Sequence, residues 1–297
     1  GDFESAITNF VVGEPGTGTE GDGYISWQIL NVTDGGVHDS AVVYDITVLS
    51  TFSPLLPDKT YLLNAVLKDN TGTDLTNPEA AYTLTANTLG YIDVTSIADL
   101  RAVTDDGYYR LTNEAFLTFQ QSFRGQKFIQ DATGGILIDD VGGVISSTYA
   151  VNDGITNIRG QVSEFGGMKQ FVPSTDYGAP SSSGNIITPQ TVTLAELTTN
   201  AELYESELVE VVAVAIDNST NTTFLNGQVY AMSQSSDNFD FRTTFFDVDY
   251  IDENVPTVST DVVGIINERS GSLYFLSARD ADDISGVTLS NDTFEEN

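Results

Sequence analysis

Short runs in which every second residue is apolar, each closed by a turn cluster, limit this chain to strands. Ile25, Trp27 and Ile29 alternate with Ser26 and Gln28, and Ile46 and Val48 with Asp45 and Thr47. Tyr61, Leu63, Ala65 and Leu67 make a third run, and Tyr82, Leu84 and Ala86 a fourth. A period of two puts successive side chains on opposite faces, so each run is a half-buried strand. Turn residues fill 13–23, 33–39, 54–59 and 69–77. Strands at this spacing predict a β-sandwich over residues 1–90 with Trp27 in its core.

Beyond Asn87–Asp93 the design changes. Thr95 or Ser96 can cap a short helix that carries Asp99 in its first turn and Ile97, Leu100 and Val103 on its apolar face. Strands follow at Tyr108–Phe119, Lys127–Gln130, Ile136–Ile138, Gly154–Glu164 and Met168–Pro173. After the loop-like Ala179–Asn185 the design restarts at Thr191–Leu197, and Glu207–Asp217 stands where Tyr108–Phe119 stood. Gly160, Gly167, Phe171 and Asp176 have counterparts in Gly264, Gly271, Phe275 and Asp280, each 104 residues on. A shared offset without gaps predicts two copies of one module. Five strands and a helix per copy fit an OB-like five-stranded barrel. The expected fold is therefore all-β: an immunoglobulin-like β-sandwich (1–90), an OB-like module (91–178), a linker (179–190), a second OB-like module (191–285) and a tail (286–297).

The stretch Gln126–Asp140 distinguishes the first module. Its two strands meet in a tight turn at Asp131-Ala132-Thr133-Gly134-Gly135, where the Asp supplies a local hydrogen bond and the two Gly a positive φ. The counterpart at Gln228–Phe246 keeps the strands and loses this turn. A ligand held by one barrel alone is expected beside this hairpin. The run Phe128-Ile129-Gln130-Asp131-Ala132-Thr133-Gly134-Gly135-Ile136 resembles the F/Y-I-Q-D-x-T-G-G-I motif of OB-like domains in secreted and cell-surface proteins of the Bacteroides–Flavobacterium group. Gly160-Gln161-Val162 and Gly167-Met168-Lys169-Gln170 match the strands that follow it there. In the first domain, Leu55–Tyr61 is similar to the L-x-P-x-T-x-Y stretch of fibronectin type III and related immunoglobulin-like domains. These resemblances imply a non-catalytic accessory module on the outer surface of a Gram-negative bacterium or in its medium, with no catalytic residues to transfer.

The charge narrows the partners. Against 11 basic residues stand 43 acidic ones, a net charge of -32. A field of that sign repels nucleic-acid backbones and anionic lipid heads. No apolar run approaches the ~20 residues of a membrane-spanning helix. With no Cys, any exported fold here stands without disulfides, and thiolate chemistry is excluded. The chain opens on Gly1-Asp2-Phe3-Glu4, as a processed chain would and as a cytosolic one would. One histidine, His38 in a Thr/Gly/Asp turn, leaves no His-rich metal site and a poor basis for a Ser-His-Asp triad.

No cofactor is required by any motif. Calcium is the ion this composition suits, since it takes hard oxygen ligands from Asp- and Asn-rich loops. The candidate ligands are Asp69, Asn70 and Asp74, then Asp105 and Asp106, then Asp139 and Asp140. Solvated turns have the same composition, and none of these loops has EF-hand spacing. Candidate contacts to a ligand are Phe119, Phe123, Arg124, Tyr149, Phe165 and Tyr177, which lie in or beside turns of the first module. Rings of this kind stack on sugars, and they equally plug barrel ends. The expected function is an accessory or adhesive module that binds a glycan or protein at the cell surface. The alternatives are a self-associating stalk or filament subunit and the accessory region of a secreted hydrolase.

Overall fold

A computed structural model describes residues 24–43, 52–69, 71–74, 81–104, 107–246 and 248–290. It is mostly β, with 46% strand against 9% helix, which bears out the all-β reading. The chain divides into two compact units, Gly1–Tyr91 and Ile92–Asn297.

The first unit contains β1 (Tyr24–Asn31), β2 (Val37–Val43), β3 (Thr60–Lys68) and β4 (Ala81–Asn87). They form one antiparallel sheet in the order β2-β1-β3-β4. The alternation seen in the sequence sets its buried face: Ile25, Trp27 and Ile29 of β1 pack with Tyr61, Leu63 and Ala65 of β3 and Ala86 of β4. Trp27 is 2% exposed, a core residue as expected. The expected strand at Ile46–Val48 and the turn at 13–23 lie outside the described residues. His38 belongs to β2 rather than to a turn, its ring edge-on to Tyr61 at 5.0 Å.

In the second unit, β5 (Ile92–Val94) leads into α1 (Ile97–Arg101), capped by the Ser96 side chain on Asp99 N. Then come β6 (Tyr108–Leu111), β7 (Ala115–Gln120), β8 (Lys127–Asp131), β9 (Gly134–Ile138), β10 (Gly154–Ile155), β11 (Ile158–Phe165) and β12 (Met168–Pro173). Their order is β10-β7-β8-β9-β12-β11-β6-β5. The strand expected at Tyr108–Phe119 is in fact two: β6 stays on the ladder with β5, Thr112 N donating to Val94 O at 3.0 Å, and β7 starts only at Ala115 with β8 and β10 as its partners. Because β6 and β7 are consecutive, the series from β7 round to β6 returns to neighbouring residues. Leu111, Leu117, Ile129, Ile136, Ile158 and Phe171 fill the interior, closed by Ile97 and Leu100 of α1.

The second module repeats the plan with β13 (Gln190–Thr191), α2 (Leu194–Asn200), β14 (Leu208–Ile216), β15 (Val229–Gln234), β16 (Asp237–Arg242), β17 (Thr260–Arg269) and β18 (Leu273–Ser277). Thr193 and Glu196 form a full capping box on α2. The ladder β14-β15-β16-β18-β17 closes through β14–β17 pairing into a five-stranded barrel. Residues 181–185 are bound to the first module: Ser181 N and Ser182 O both bond Gly154 at 2.8 Å.

The offset of 104 holds between β11 and β17 and slips afterwards. Gly160 and Gly264 do the same work. A Cβ on Gly160 would lie 2.1 Å from Val172 O, and one on Gly264 2.5 Å from Ser277 O. The β11–β12 turn has two residues, since Phe165 pairs with Met168, whereas Arg269 pairs with Leu273 across three. The extra residue shifts β18 by one. Leu276 therefore takes the core place of Phe171, and Phe275 faces the Arg242 guanidinium at 6.0 Å. The gap-free pairing of Phe171 with Phe275 and of Asp176 with Asp280 is corrected accordingly.

Candidate functional site

The hairpin β8–β9 is where the two modules meet, and its side chains are committed to that junction. Asp131 Oδ1 accepts Thr133 N at 2.7 Å, while its Oδ2 accepts Ile97 N of α1 at 2.8 Å. Thr133 Oγ1 accepts Ala98 N at 3.0 Å. Turn and helix thus satisfy each other's exposed groups. Gln130 Oε1 reaches the second module and accepts Leu208 N at 2.9 Å. The loop itself is Ala132-Thr133, because Asp131 pairs with Gly134. Neither Gly134 nor Gly135 has positive φ, which corrects the turn-based reason for them. A Cβ on Gly135 would stand 2.4 Å from Ser206 C and 2.7 Å from Glu207 N, so glycine is there to let the second module's backbone approach. Ser206 meets it in a left-handed conformation, φ 67°.

Around this contact Phe119, Phe128, Leu137 and Met168 of the first module pack with Leu208, Phe245 and Ile265 of the second. Phe119 lies 4.3 Å from Phe245, and Phe123 4.8 Å from Phe246, between ring centroids. Arg279 Nη1 donates to Thr118 O at 2.9 Å, and Gly271 N to Gly166 O at 2.8 Å.

The six expected ligand contacts do not converge. Phe119 is buried in the junction, and Phe123 stacks at its edge. Arg124 is bidentate on Asp139. Tyr149 is buried, its hydroxyl on Gly178 O at 2.7 Å, and burial pushes that hydroxyl's pKa up. Tyr177 packs on the core of the first module. Phe165 is the most solvent-exposed of the rings, 77% against 46% for Phe123, and stands beside the Gly166-Gly167 turn.

The acidic loops are likewise committed to their own surroundings. Asp69 Oδ1 accepts the Thr71 hydroxyl at 2.7 Å, Thr73 N at 2.9 Å and Thr71 N at 2.8 Å, which hold its carboxyl below the usual range. Asp74 pairs with Lys68. Asp140 accepts Val144 N at 2.7 Å and Ile145 N at 3.0 Å. Asn70, Asp105 and Asp106 lie outside the described residues.

Two clefts remain. One, of about 380 Å³, lies beside the hairpin between Gln130–Thr133 and Leu203–Leu208. The larger, of about 430 Å³, belongs to the second module, between the end of α2, residues 238–240 of β16 and the start of β18. Phe239 and Tyr274, half-buried against the core, line it with Asn200, Glu202, Asn238 and Asp240. Thr198 Oγ1 ties its two walls by donating to Asn238 O at 2.9 Å. Burial raises the Asp240 carboxyl. Tyr274 donates its hydroxyl to Glu202 Oε2 at 2.6 Å; burial, then that carboxylate, hold its proton on. Sequence reasoning missed this cleft because its residues come from three separated segments of the copy that lacks the distinguishing motif.

Beside it lies a buried ion pair between the modules. Arg101 Nη1 reaches Glu205 Oε1 at 2.7 Å, and its Nη2 reaches Glu202 Oε1 at 2.9 Å. Burial pushes the Glu205 carboxyl up to about 7 against the opposing pull of Arg101. Among the described residues no helix is long and apolar enough to cross a membrane. No protein-family model matches the chain, and no curated protein matches it in sequence.

Proposed function

We propose that this chain is a non-catalytic accessory region of a surface or secreted bacterial protein, which binds a glycan in the cleft of its second module. The observation that carries the reading is the lining of that cleft. Two aromatic rings, Phe239 and Tyr274, stand among the amides of Asn200 and Asn238 and the carboxyl groups of Glu202 and Asp240. Rings that stack on a sugar face beside groups that bond its hydroxyls are what a saccharide site needs, and OB-type barrels use such faces. Neither His nor Cys lines the cleft.

The finer architecture belongs to the same proposal: an immunoglobulin-like sandwich followed by two OB-like modules. In both modules the second strand of the central hairpin runs parallel to the last strand, β9 with β12 and β16 with β18. In the first unit Leu56 N donates to Tyr61 Oη at 2.9 Å, the bond of a tyrosine corner, within the stretch that resembles fibronectin type III. These features support the reading, as does the resemblance of Phe128–Ile136 to exported OB-like domains.

A second reading, a rigid spacer of an extracellular stalk, is favoured by the apolar junction that joins the two modules. A glycan-array screen of the whole chain separates them. The binding reading expects retention of one glycan class, lost in Phe239→Ala and weakened in Asp240→Asn. An array without signal leaves the spacer.

A further inference from the structure

We propose that Glu202, Glu205 and Glu268 bind one hard divalent cation of the calcium type at the junction of the two modules. One carboxylate oxygen from each lies within 4.8 Å of the other two. Calcium–oxygen bonds of about 2.3–2.6 Å place three evenly spread ligands of one ion about 4.0–4.5 Å apart, so side-chain shifts of a few tenths of an ångström close all three oxygens on a single ion.

Glu205 supplies the second observation. It is 1% exposed, its Oε1 accepts from Arg101 Nη1 at 2.7 Å and from Lys169 N at 3.1 Å, and its Oε2 is buried with no donor. A buried carboxylate oxygen left without a partner is costly, and a cation is the partner that neighbouring carboxylates share best.

The charge count agrees. Among the described residues Arg101 is the one cation ion-paired with this group, bonded to Glu202 and Glu205. Lys169 turns its ammonium to Arg101 O at 2.5 Å. Three carboxylates against one guanidinium leave two negative charges, the charge of one divalent ion.

The ligands are also held in place before any ion arrives. Tyr274 fixes Glu202 through Oε2 at 2.6 Å, and Ser272 N donates to Glu268 Oε1. Gly167, at φ 99°, closes over Glu268; a Cβ there would lie 2.2 Å from Glu268 Oε1. Arg101 and Gly167 come from the first module and the three acids from the second, so the ion would clasp the junction. Glu202 is exposed and lines the cleft, which leaves coordination positions to water. The site is separate from the Asp-rich loops and does not depend on a glycan.

The test uses the whole chain, stripped with chelator and titrated with calcium alone by calorimetry. One saturable site is expected, with a Kd of roughly 10⁻⁵–10⁻³ M. Glu268→Gln and Glu205→Gln should each weaken it tenfold or more, and Asp69→Asn, in the first unit, should leave it unchanged. Calcium should also raise the melting temperature of the wild type but not of Glu268→Gln, a readout that stands even if Glu205→Gln does not fold. No saturable binding, or binding by Glu268→Gln equal to wild type, overturns the proposal and leaves a proton as the occupant of the cluster.

Discussion

Gly135 is the residue on which the second unit turns. Its neighbours across the junction are backbone atoms of Ser206 and Glu207, which cannot swing aside as a side chain can. Gly135→Val should therefore destabilise the unit by about 1–3 kcal/mol or more, measured by urea denaturation, through overpacking between modules. Gly134 makes a sharp comparison. A Cβ there meets only side-chain atoms, at 3.7 Å and beyond, so Gly134→Ala should cost much less. Asp131 belongs to the same scale. Asp131→Ala removes the acceptor of Ile97 N and of Thr133 N and should cost about 1–2 kcal/mol, as the loss of a helix cap does. From the sequence these residues read as turn chemistry. Their identities were legible and their reason was not, because what they touch is distant in sequence, Ser206 and Glu207 for Gly135 and Ile97 for Asp131.

At the scale of elements, β12 and β8 were legible almost to the residue, since alternation and turn signals act locally. The break between β6 and β7 was not, because it falls where the pairing partners change, from β5 and β11 to β8 and β10, and those lie elsewhere in the chain. The one-residue slip of β18 was hidden in the same way: a three-residue turn and a two-residue turn both read as Gly-containing hairpins, and the register decides whether Leu276 or Phe275 faces inward. The scatter of the candidate ligand residues has a related cause. An aromatic beside a turn looks the same whether it meets solvent, as Phe165 does, or a second module, as Phe119 does.

The loop after β9 offers a pH test. Asp176 accepts Ser146 N at 2.6 Å, Ser147 N at 2.8 Å and Gly178 N at 2.7 Å, with both serine hydroxyls, and these bonds hold its carboxyl far below the usual range. The native state thus binds fewer protons at this group than the unfolded chain. Its contribution is present above the unfolded carboxylate range, near pH 4, and is lost as pH falls below it. Asp176→Asn should be less stable than wild type at neutral pH, and the gap should close as the pH is lowered towards about 2. A gap independent of pH would contradict the assignment.

Residues 92–290 form one folding unit made of two modules, joined by the β8–β9 hairpin, the Phe119–Phe245 cluster and Arg101. Two independent barrels on a linker would bury no such cluster, and the rings expected to greet a ligand would be free. Native-state hydrogen exchange on wild type and Phe245→Ala tests this most directly. Phe245 is 1% exposed, and its loss should cost ~3–5 kcal/mol. The account predicts that the slowest amides of both modules, Ile129 and Leu117 as well as Val211 and Ile266, lose protection by the same amount, since each opens only when the whole unit does. Faster exchange confined to Val211, Ile266 and their neighbours, with Ile129 and Leu117 unchanged, would contradict it.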